Sequence, residues 1–380
     1  MGLDFRDNLT PVTWELGNYS TEIFTREAVR LIEDHNTQQW VSKVANQPKC
    51  WFQPLFLYMA YQSPHTSYGV DSLEAPDRYI QRFRHIKDPN RRMYAGKSYL
   101  TSLLKYSNKI IFDQVYIECK KAGVAAMVSA MDDSVGEVMK ALQRRGMLDN
   151  SIIVFSSDNG GVPEGLEDSA GSNWPLRGTK YTLWEGGVRA SGLVWSPLLQ
   201  EPARKSRQLM HIVDWLPTLY SAAVDNFNNK STTLSTDREY RAGKLGGNVS
   251  TLGNIDGMDM WSSLSQNTDS PRKEILLNID PVWGMRALRM GPYKAISGDY
   301  QGGRFSGWYG PSGSRDNAHY DVACGARLYP SPPCMPASYP CLFDVESDPC
   351  EQNNLAFSQP RVGPIYPLSL SLSLCILNVL

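Results

Sequence analysis

Two polar side chains that could bind a metal ion follow an apolar run near the middle of the chain. Residues 152–155, Ile-Ile-Val-Phe, are rich in β-branched and aromatic side chains, which predicts a fully buried strand of a parallel sheet. Asp158 and Asn159 come just after this run, at the strand end where open α/β sheets bind ligands. Their oxygen atoms suit a hard divalent cation. The pattern therefore predicts a metal site, with a plain Asn-Gly hairpin turn as the alternative.

Gly160 and Gly161 complete the same loop. Glycine lets two backbone segments approach closely and adopts φ/ψ values that other residues avoid, so we expect both properties here. No second alternating strand follows at once, because a long polar loop leads into a segment dense in Trp, Arg, Lys and Gly. Long loops in compact domains are usually functional or disordered, and the aromatic content favours a functional loop.

A histidine and a lysine are the other candidates for chemistry. Residues 54–60, Pro-Leu-Phe-Leu-Tyr-Met-Ala, predict a second buried strand, and His65 follows soon after it. Histidine is well suited to donate a proton near neutral pH, although a single histidine after a strand is more often structural. Lys180 lies in the segment rich in Trp and Gly, where a solvated surface lysine is the alternative to an anion-binding one.

Three segments together resemble the sulfatase family. They are Ser-Asp-Asn-Gly-Gly at 157–161, Asn-Trp-Pro-Leu-Arg-Gly-Thr-Lys at 173–180 and Leu-Trp-Glu-Gly-Gly-Val-Arg at 183–189. The combination is similar to arylsulfatase B and its relatives and is far more specific than any one segment. The resemblance implies that Asp158 and Asn159 are Ca²⁺ ligands. It also implies that Lys180 and His65 bind the sulfate and are catalytic, with His65 assisting the leaving group.

The chemistry implied by this resemblance is the hydrolysis of sulfate esters. The sulfate needs cationic and metal stabilisation, the leaving alcohol needs a proton donor, and the nucleophile must be unusually reactive. In the family the nucleophile is a formylglycine made in a Cys-x-Pro-Ser-Arg motif, which does not occur in this sequence. The segment that begins at Cys334 lacks the Ser and Arg in register. The Asp132-Asp133 pair has the wrong place in the chain order for the family's metal pair.

The resemblance implies an α/β fold of the alkaline-phosphatase-like sulfatase type, with a mixed sheet between helices, a small C-terminal α+β domain and the first strands missing. Residues 1–265 would be a partial catalytic domain and residues 266–357 the small-sheet domain. Residues 97–126 and the tail 358–380 are atypical of the family. The segment 97–126 is either a surface insertion or translated non-coding sequence, and the second is favoured because it would interrupt one packed helix. We therefore expect an incomplete sulfatase that is inactive alone.

Helices are predicted on both sides of the His65 segment. Residues 21–35 form an amphipathic pattern that Ser20 or Thr21 could cap. Residues 127–145 carry an apolar stripe and end at Gly146, a residue that favours the left-handed C-terminal position. The stripe consists of Met131, Val135, Val138 and Leu142. Short strands are predicted at 192–195, 274–280 and 287–296.

Composition limits the partners. The chain has 380 residues and a formal net charge of -1, which gives no electrostatic reason to bind nucleic acid or an anionic membrane. Four of the seven cysteines lie late in the sequence, and they could form two disulfides in three possible pairings. Zinc is the alternative, though no Cys-x-x-Cys or histidine pair supports it. These cysteines are Cys324, Cys334, Cys341 and Cys350.

Four sequons, at Asn8, Asn18, Asn229 and Asn248, are typical of a glycoprotein of the secretory pathway. The first residues lack the apolar core of a signal peptide, and the apolar tail is too short to span a bilayer. By family we expect a lysosomal or secreted location. The leading functional interpretation is a sulfuric ester hydrolase that acts on substrates such as sulfated N-acetylgalactosamine of glycosaminoglycans. A non-catalytic glycoprotein that binds sulfated glycans is the alternative, and a phosphatase of the same superfamily is less favoured.

Overall fold

The structure is a computed structural model in which two compact units are defined. It describes residues 5–36, 41–44, 47–50, 54–65, 75–83, 126–163, 166, 169, 171–229, 255–310, 322–327, 334, 336 and 339–358. The first unit is Met1–Asn150 with Asp168–Ala170, and the second is Ser151–Glu167 with Gly171–Leu380. His65 belongs to the first unit, whereas Asp158, Asn159 and Lys180 belong to the second.

Among its described residues, the first unit contains two short hairpins, two long helices and one short helix. Its elements in chain order are β1 (Arg6–Asp7), β2 (Thr10–Pro11), α1 (Ser20–Asp34), β3 (Val41–Val44), β4 (Gln47–Cys50), α2 (Asp77–Ile80) and α3 (Ala126–Arg144). β1 pairs with β2 and β3 pairs with β4, both antiparallel. α2 continues into a 3-10 turn at Gln81–Phe83, and a second 3-10 turn, Leu148–Asn150, follows α3.

α1 confirms the first predicted helix, and its apolar face buries Ile23, Ala28 and Ile32. The predicted capping is wrong, because Tyr19 occupies the N-cap position without a side-chain hydrogen bond. The buried hydroxyl of Thr21 instead shares a 3.0 Å hydrogen bond with that of Ser63. This side chain therefore ties the helix to the segment that leads to His65.

α3 confirms the second predicted helix, and Gly146 has the expected positive φ of 64°. The buried face is shifted from the predicted stripe, since only Leu142 of that stripe is fully buried. Small residues fill the face instead, among them Ala130, Ser134 and Ala141. These short side chains allow polar contact with α1, where the Thr25 hydroxyl donates to Ser134 Oγ.

The predicted buried strand at 54–60 is wrong. This segment has no secondary structure, and Phe56 and Tyr58 are 78% and 80% exposed. Exposed and partly buried residues alternate along it, so its backbone periodicity is strand-like. A strand is defined by its hydrogen-bonded partners, and the described part of the chain provides no neighbour that pairs with this segment.

The second unit begins with a strand pair that differs from the predicted parallel sheet. β5 (Ile153–Ser156) pairs antiparallel with β6 (Gly192–Trp195), in register Ile153 to Trp195. β5 is only partly buried, which corrects the prediction of a fully buried strand. The predicted strand at 192–195 is confirmed. The Asn-Gly hairpin alternative is also wrong, because the whole Lys180 segment lies between the two paired strands.

The rest of the second unit, as far as it is described, contains three helices and a four-stranded sheet. In chain order they are α4 (Glu185–Val188, before β6), α5 (Trp215–Asn229), α6 (Trp261–Gln266), β7 (Glu274–Asp280), β8 (Met285–Met290), β9 (Tyr293–Ser297) and β10 (Cys341–Asp344). The sheet is antiparallel throughout, in the order β10-β9-β8-β7. The single strand predicted at 287–296 is two strands, because the chain turns at Gly291, where φ is 53°.

The core of the second unit lies between this sheet and the Trp-rich segment. Trp184 is 1% exposed and meets Phe343 of β10 edge-on, with ring centroids 5.6 Å apart. Ile296, Met285 and other sheet side chains fill the same cluster. The expected pair of disulfides is confirmed, and of the three possible pairings the structure has Cys324–Cys350 and Cys334–Cys341.

The predicted domain boundary at residue 265 stays a prediction. The two compact units divide at Asn150, and the sheet at 274–344 shares one core with residues 183 and 184. In the part of the chain that is described, no helix is long and apolar enough to cross a membrane.

Candidate active site

The loop at 157–161 is held by backbone contacts to the segment before β6. Ser157 N–H donates to Ser191 O, and Gly160 N–H donates to Gly187 O, both at 2.9 Å. A Cβ on Gly160 would lie 1.7 Å from Gly186 O. The expected close backbone approach is therefore present at Gly160. The expected unusual backbone angles are not, because neither Gly160 nor Gly161 has a positive φ.

Asp158 and Asn159 lie at the tip of this loop, with Asp158 exposed and Asn159 partly buried. The Asn159 N–H donates to Asp158 Oδ1 at 2.9 Å, and Asn159 Nδ2 donates to Gly160 O at 2.9 Å. Both residues supply hard oxygen atoms of the type that calcium prefers.

These two residues fit a calcium ion only as part of a ligand set. Calcium takes six to eight oxygen ligands, and no group of three or more His, Cys, Asp or Glu residues converges anywhere in the described ranges. Asp158 and Asn159 by themselves are too few for such a site. Further oxygens from other residues or from water would be needed to complete it.

Asn173 fixes the backbone around Lys180. Its Oδ1 accepts from Gly161 N–H at 2.8 Å, and its Nδ2 donates to Gly161 O at 2.8 Å and to Gly178 O at 3.1 Å. Lys180 N–H donates to Gly161 O at 3.4 Å. One amide side chain thus joins the end of the loop that carries Asp158 to the segment that carries Lys180.

Lys180 itself is partly buried, and its Nζ lies 5.6 Å from the centroid of the Tyr181 ring. Tyr181 has a φ of 79°, a value that is a real outlier for a bulky side chain. Such strain costs of order 1–3 kcal/mol and is concentrated at functional sites. The tyrosine that follows Lys180 is therefore held in a conformation that local preference opposes.

Arg177, the arginine of the Asn-Trp-Pro-Leu-Arg-Gly segment, is a packing residue. Its guanidinium lies 3.6 Å from the ring centroid of Trp184 and 4.5 Å from that of Trp308, and its Nε donates to Ser306 O at 2.9 Å. Burial lowers the pKa of this guanidinium below its ordinary value, against the opposing effect of Glu351. Cation–π contact on both faces compensates part of that desolvation.

Glu185, from the Leu-Trp-Glu-Gly-Gly segment, belongs to a buried ionic triad with Lys294 and Glu351. Lys294 Nζ lies 2.8 Å from Glu185 Oε1 and 3.0 Å from Glu351 Oε1, the second at an angle that makes no hydrogen bond. Glu351 Oε2 accepts from the Glu185 N–H at 2.7 Å. Burial would raise the pKa of Glu185, but the Lys294 ammonium holds it below the ordinary value. Burial raises the pKa of Glu351 to about 7.

His65, in the first unit, is exposed. The turn before it is anchored through Ser63, whose buried hydroxyl bonds Tyr19 Oη at 2.7 Å and Thr21 Oγ1 at 3.0 Å. His65 N–H donates to Gln62 O at 2.8 Å and closes the turn. The backbone of this histidine is therefore fixed by α1, while its ring faces the surface.

Of the sequon asparagines, Asn8 and Asn18 are exposed in the first unit. Asn229 ends α5, where its side chain lies outside the described residues, and Asn248 lies outside them altogether. Glycosylation at all four therefore stays a prediction.

Sequence reasoning missed several residues around Lys180. Lys294 and Glu351 were not singled out, because a lysine in a strand and a glutamate in a loop give no signal of burial. Trp283 and Tyr300 were also missed, although both form ring contacts near Tyr181. Aromatic residues in the turns of a small sheet are the sequence signal that could have identified Trp283 and Tyr300. Only the fold shows that these residues contact the segment that carries Lys180.

Comparison with known proteins places the chain in a family. The sulfatase family model matches residues 4–225, which is more than half of the chain. Arylsulfatase J of Mus musculus is 30% identical to this chain. The match covers 95% of this chain and 50% of the length of arylsulfatase J. Arylsulfatase A of Bos taurus is 29% identical over 62% of this chain and 39% of its own length. The chain belongs to the sulfatase family, and it spans about half or less of the length of these relatives.

The fold comparison agrees. The crystal structure of Ps i-CgsB is similar with a TM-score of 0.55 and 22% identity, over 93% of this chain and 54% of that one. The α/β, alkaline-phosphatase-like fold predicted from the sequence is confirmed. Assignment to the arylsulfatase B type within the family stays a prediction.

Proposed function

We propose that this chain is part of a sulfuric ester hydrolase of the arylsulfatase B type, acting on sulfated N-acetylgalactosamine of glycosaminoglycans. The observation that carries the proposal is the fixed position of Lys180. Asn173 joins its segment to the loop of Asp158 through three hydrogen bonds. A strained Tyr181 follows it. A cation next to a loop of oxygen ligands is what an anionic substrate with a bound metal requires.

In the proposed reaction, sulfur forms a bond to an oxygen that comes from water. The bond between sulfur and the ester oxygen of the sugar breaks. Lys180 binds the sulfate oxygens and stabilises the negative charge that develops there. His65 donates a proton to the leaving alcohol. The products are the free hydroxyl of the sugar and sulfate.

Asp158 and Asn159 would hold the Ca²⁺ ion in this proposal. When bound, the ion supplies additional positive charge that polarises the sulfate group. The two side chains provide hard oxygens, and their loop is fixed to the strand pair by Ser157 and Gly160. Asp158 and Asn159 would contribute by orienting the oxygens that hold the ion beside the substrate.

A second candidate function rests on the absence of a Cys-x-Pro-Ser-Arg motif from the printed sequence. Without that nucleophile, the same lysine and histidine would bind sulfated glycans without turnover. We further propose a lysosomal or secreted location, with glycans at Asn8, Asn18, Asn229 and Asn248. The domains proposed are 1–265 and 266–357.

The proposal is tested by binding and turnover measurements on the 380-residue chain. A sulfated N-acetylgalactosamine disaccharide is titrated by calorimetry with and without Ca²⁺, and release of sulfate is followed in parallel. Lys180→Ala is expected to weaken binding about tenfold or more, as for a lost hydrogen bond to a charged group. Lys273→Ala, an exposed lysine in the same unit, is the matched control and is expected to have no effect.

Each outcome has a distinct meaning. Sulfate release that depends on Lys180 supports the hydrolase. Binding that depends on Lys180 without release supports the non-catalytic alternative. Equal binding by the Lys180 and Lys273 variants, or no binding at all, contradicts both.

A further inference from the structure

Beside Lys180 lies a group of three aromatic side chains, Tyr181, Tyr300 and Trp283, here called the aromatic platform. The Tyr181 and Tyr300 rings are stacked, with centroids 5.3 Å apart and an interplanar angle of 24°. Trp283 meets Tyr300 edge-on at 4.8 Å. Tyr181 and Trp283 remain 38% and 44% exposed. The platform therefore presents ring surface to solvent while its members are fixed by one another.

The platform rests on a rigid base. Phe305 is 2% exposed and packs against Tyr181 at 5.4 Å and against Tyr300 at 5.6 Å. Trp283 is set by a turn in which Asp280 Oδ1 accepts the N–H groups of Val282 and Trp283, at 2.8 and 3.2 Å. Because its parts are already ordered, the protein would lose little side-chain entropy when a ligand binds to the platform.

One cation lies beside Tyr181 of the platform, and a second lies beside Phe305 of its base. Lys180 Nζ is 5.6 Å from the Tyr181 centroid, and Arg304 Cζ is 5.4 Å from the Phe305 centroid. Arg304 is exposed. The nearby carboxylate of Asp299 accepts a hydrogen bond from the Ser306 hydroxyl, so it is engaged within its own loop. The platform thus joins apolar ring faces to positive charge.

Two features argue that this surface is built for a ligand. An exposed cluster of large aromatic side chains is costly to leave in water, and Tyr181 reaches it through a strained positive φ of 79°. A pyranose ring has an apolar face of C–H groups that packs on aromatic rings, and sulfate groups on such a ring pair with lysine and arginine. Both kinds of contact are offered side by side here.

We infer that the aromatic platform is a saccharide-binding subsite that holds the sugar ring of a sulfated glycan next to Lys180. The inference deepens the proposed function and rests on it for the identity of the ligand. The platform binds the ring itself, whereas Lys180 binds the sulfate. Trp283 and Tyr300 are therefore specificity-determining residues, and they touch no atom of the ester bond.

The inference is tested by calorimetric titration of the 380-residue chain with three probes. These are a sulfated N-acetylgalactosamine disaccharide, the same disaccharide without sulfate, and inorganic sulfate. Trp283→Ala and Tyr300→Ala are compared with Val282→Ala, an 83% exposed neighbour in the same turn. Circular dichroism and sedimentation of each variant check folding and self-association.

Trp283→Ala is expected to weaken binding of the sulfated disaccharide about fivefold to tenfold, as for a lost aromatic contact. Binding of inorganic sulfate is expected to stay unchanged, as is all binding by Val282→Ala. Lys180→Ala is expected to weaken binding of both inorganic sulfate and the sulfated disaccharide. Tyr300→Phe, which keeps the ring, is expected to retain disaccharide binding.

Equal loss of inorganic sulfate and disaccharide in Trp283→Ala would overturn the subsite. So would a change in self-association without a change in glycan binding, because the platform would then be an interface between copies. If neither inorganic sulfate nor the sulfated disaccharide binds the unaltered chain, the proposed function is contradicted, and the subsite that rests on it is contradicted with it. If sulfate binds through Lys180 and the platform variants match the control, only the subsite fails.

Discussion

Glu351 has the most unusual electrostatic environment of a single residue in the second unit. It is fully buried, and it faces Lys294 at 3.0 Å and the Glu185 N–H at 2.7 Å. Glu185 interacts electrostatically with Lys294, with Arg189 at 3.6 Å and with Arg289. The guanidinium of Arg177 interacts electrostatically with Glu351. With both glutamates ionised the triad has a net negative charge in the interior, and protonation of Glu351 removes it.

The stability of the second unit is therefore expected to fall as pH rises. Because burial raises the pKa of Glu351 from its ordinary value of 4.5 to about 7, the folded state binds this proton more tightly than the unfolded state. The contribution is fully present below pH 4.5 and is lost as pH rises through about 7. Urea unfolding at pH 5 to 8 measures it.

Glu351→Gln is expected to flatten this decline, since an amide stays neutral at every pH. Glu346→Gln, at a side chain that is 64% exposed, should retain it. A decline of the same size in the Glu351→Gln protein would show that another group titrates.

At the scale of elements, the site depends on backbone segments that pass closer than side chains allow. Gly160 lies against Gly186, the second residue of α4, and Gly160 N–H bonds Gly187 O. The loop after β5 and the helix before β6 are thus in direct backbone contact. This contact is the reason shown by the structure for glycine at position 160.

Gly160→Ala is expected to destabilise the chain by about 2 kcal/mol or more, because a new methyl 1.7 Å from Gly186 O cannot be accommodated without moving the backbone. Gly192→Ala is the matched control, since a Cβ there meets nothing within 4 Å. Urea midpoints of the two variants measure the difference. Equal midpoints would mean that the loop and α4 separate easily.

Much of the element pattern could be predicted from the sequence, whereas pairing partners could not. The helices at 20–34 and 126–144 follow from their periodicity. An apolar run such as 153–156 indicates a strand, but its residues do not specify the strand with which it pairs. In the structure that neighbouring strand is β6, in antiparallel orientation. The run at 54–60 has the same appearance and forms no strand. Gly291 was overlooked, so two strands were predicted as one.

The candidate site divides in the same way. Asp158, Asn159 and Lys180 were found because they occupy a continuous motif. Lys294 and Glu351 meet Glu185 only after the sheet has folded onto it, over more than a hundred residues of chain. Such pairs have no local signature, because long-range contacts are set by topology.

At the scale of the whole molecule, the covalent cross-links are found in only one of the two units as described. Cys324–Cys350, with a sequence separation of 26, and Cys334–Cys341 both lie in the second unit. The Cys350 end of Cys324–Cys350 adjoins the Trp-rich segment, since Trp308 Nε1 donates to Cys350 O at 2.7 Å and Glu351 follows Cys350 in sequence.

Loss of Cys324–Cys350 is expected to destabilise the second unit by about 3 kcal/mol, from the entropy gained by an open loop of this length. Hydrogen exchange of a Cys324→Ser, Cys350→Ser protein measures it. Faster exchange is expected in β9 and β10, with α1 and α3 as the internal control. Equal acceleration in both sets would show that the units unfold together.

The hydrogen bonds of Asn173 also indicate where this molecule could accept an inserted peptide and where its relatives can differ in length. Pro163 and Gly171 form a parallel bridge, and Asn173 closes the backbone just beyond it. The bridge therefore holds residues 163 and 171 together at the two ends of the stretch that separates them. Lengthening such a stretch costs only about 0.6 kcal/mol for each doubling. A reporter peptide or an affinity handle inserted there would leave Lys180 undisturbed, and divergence in length would concentrate at the same point.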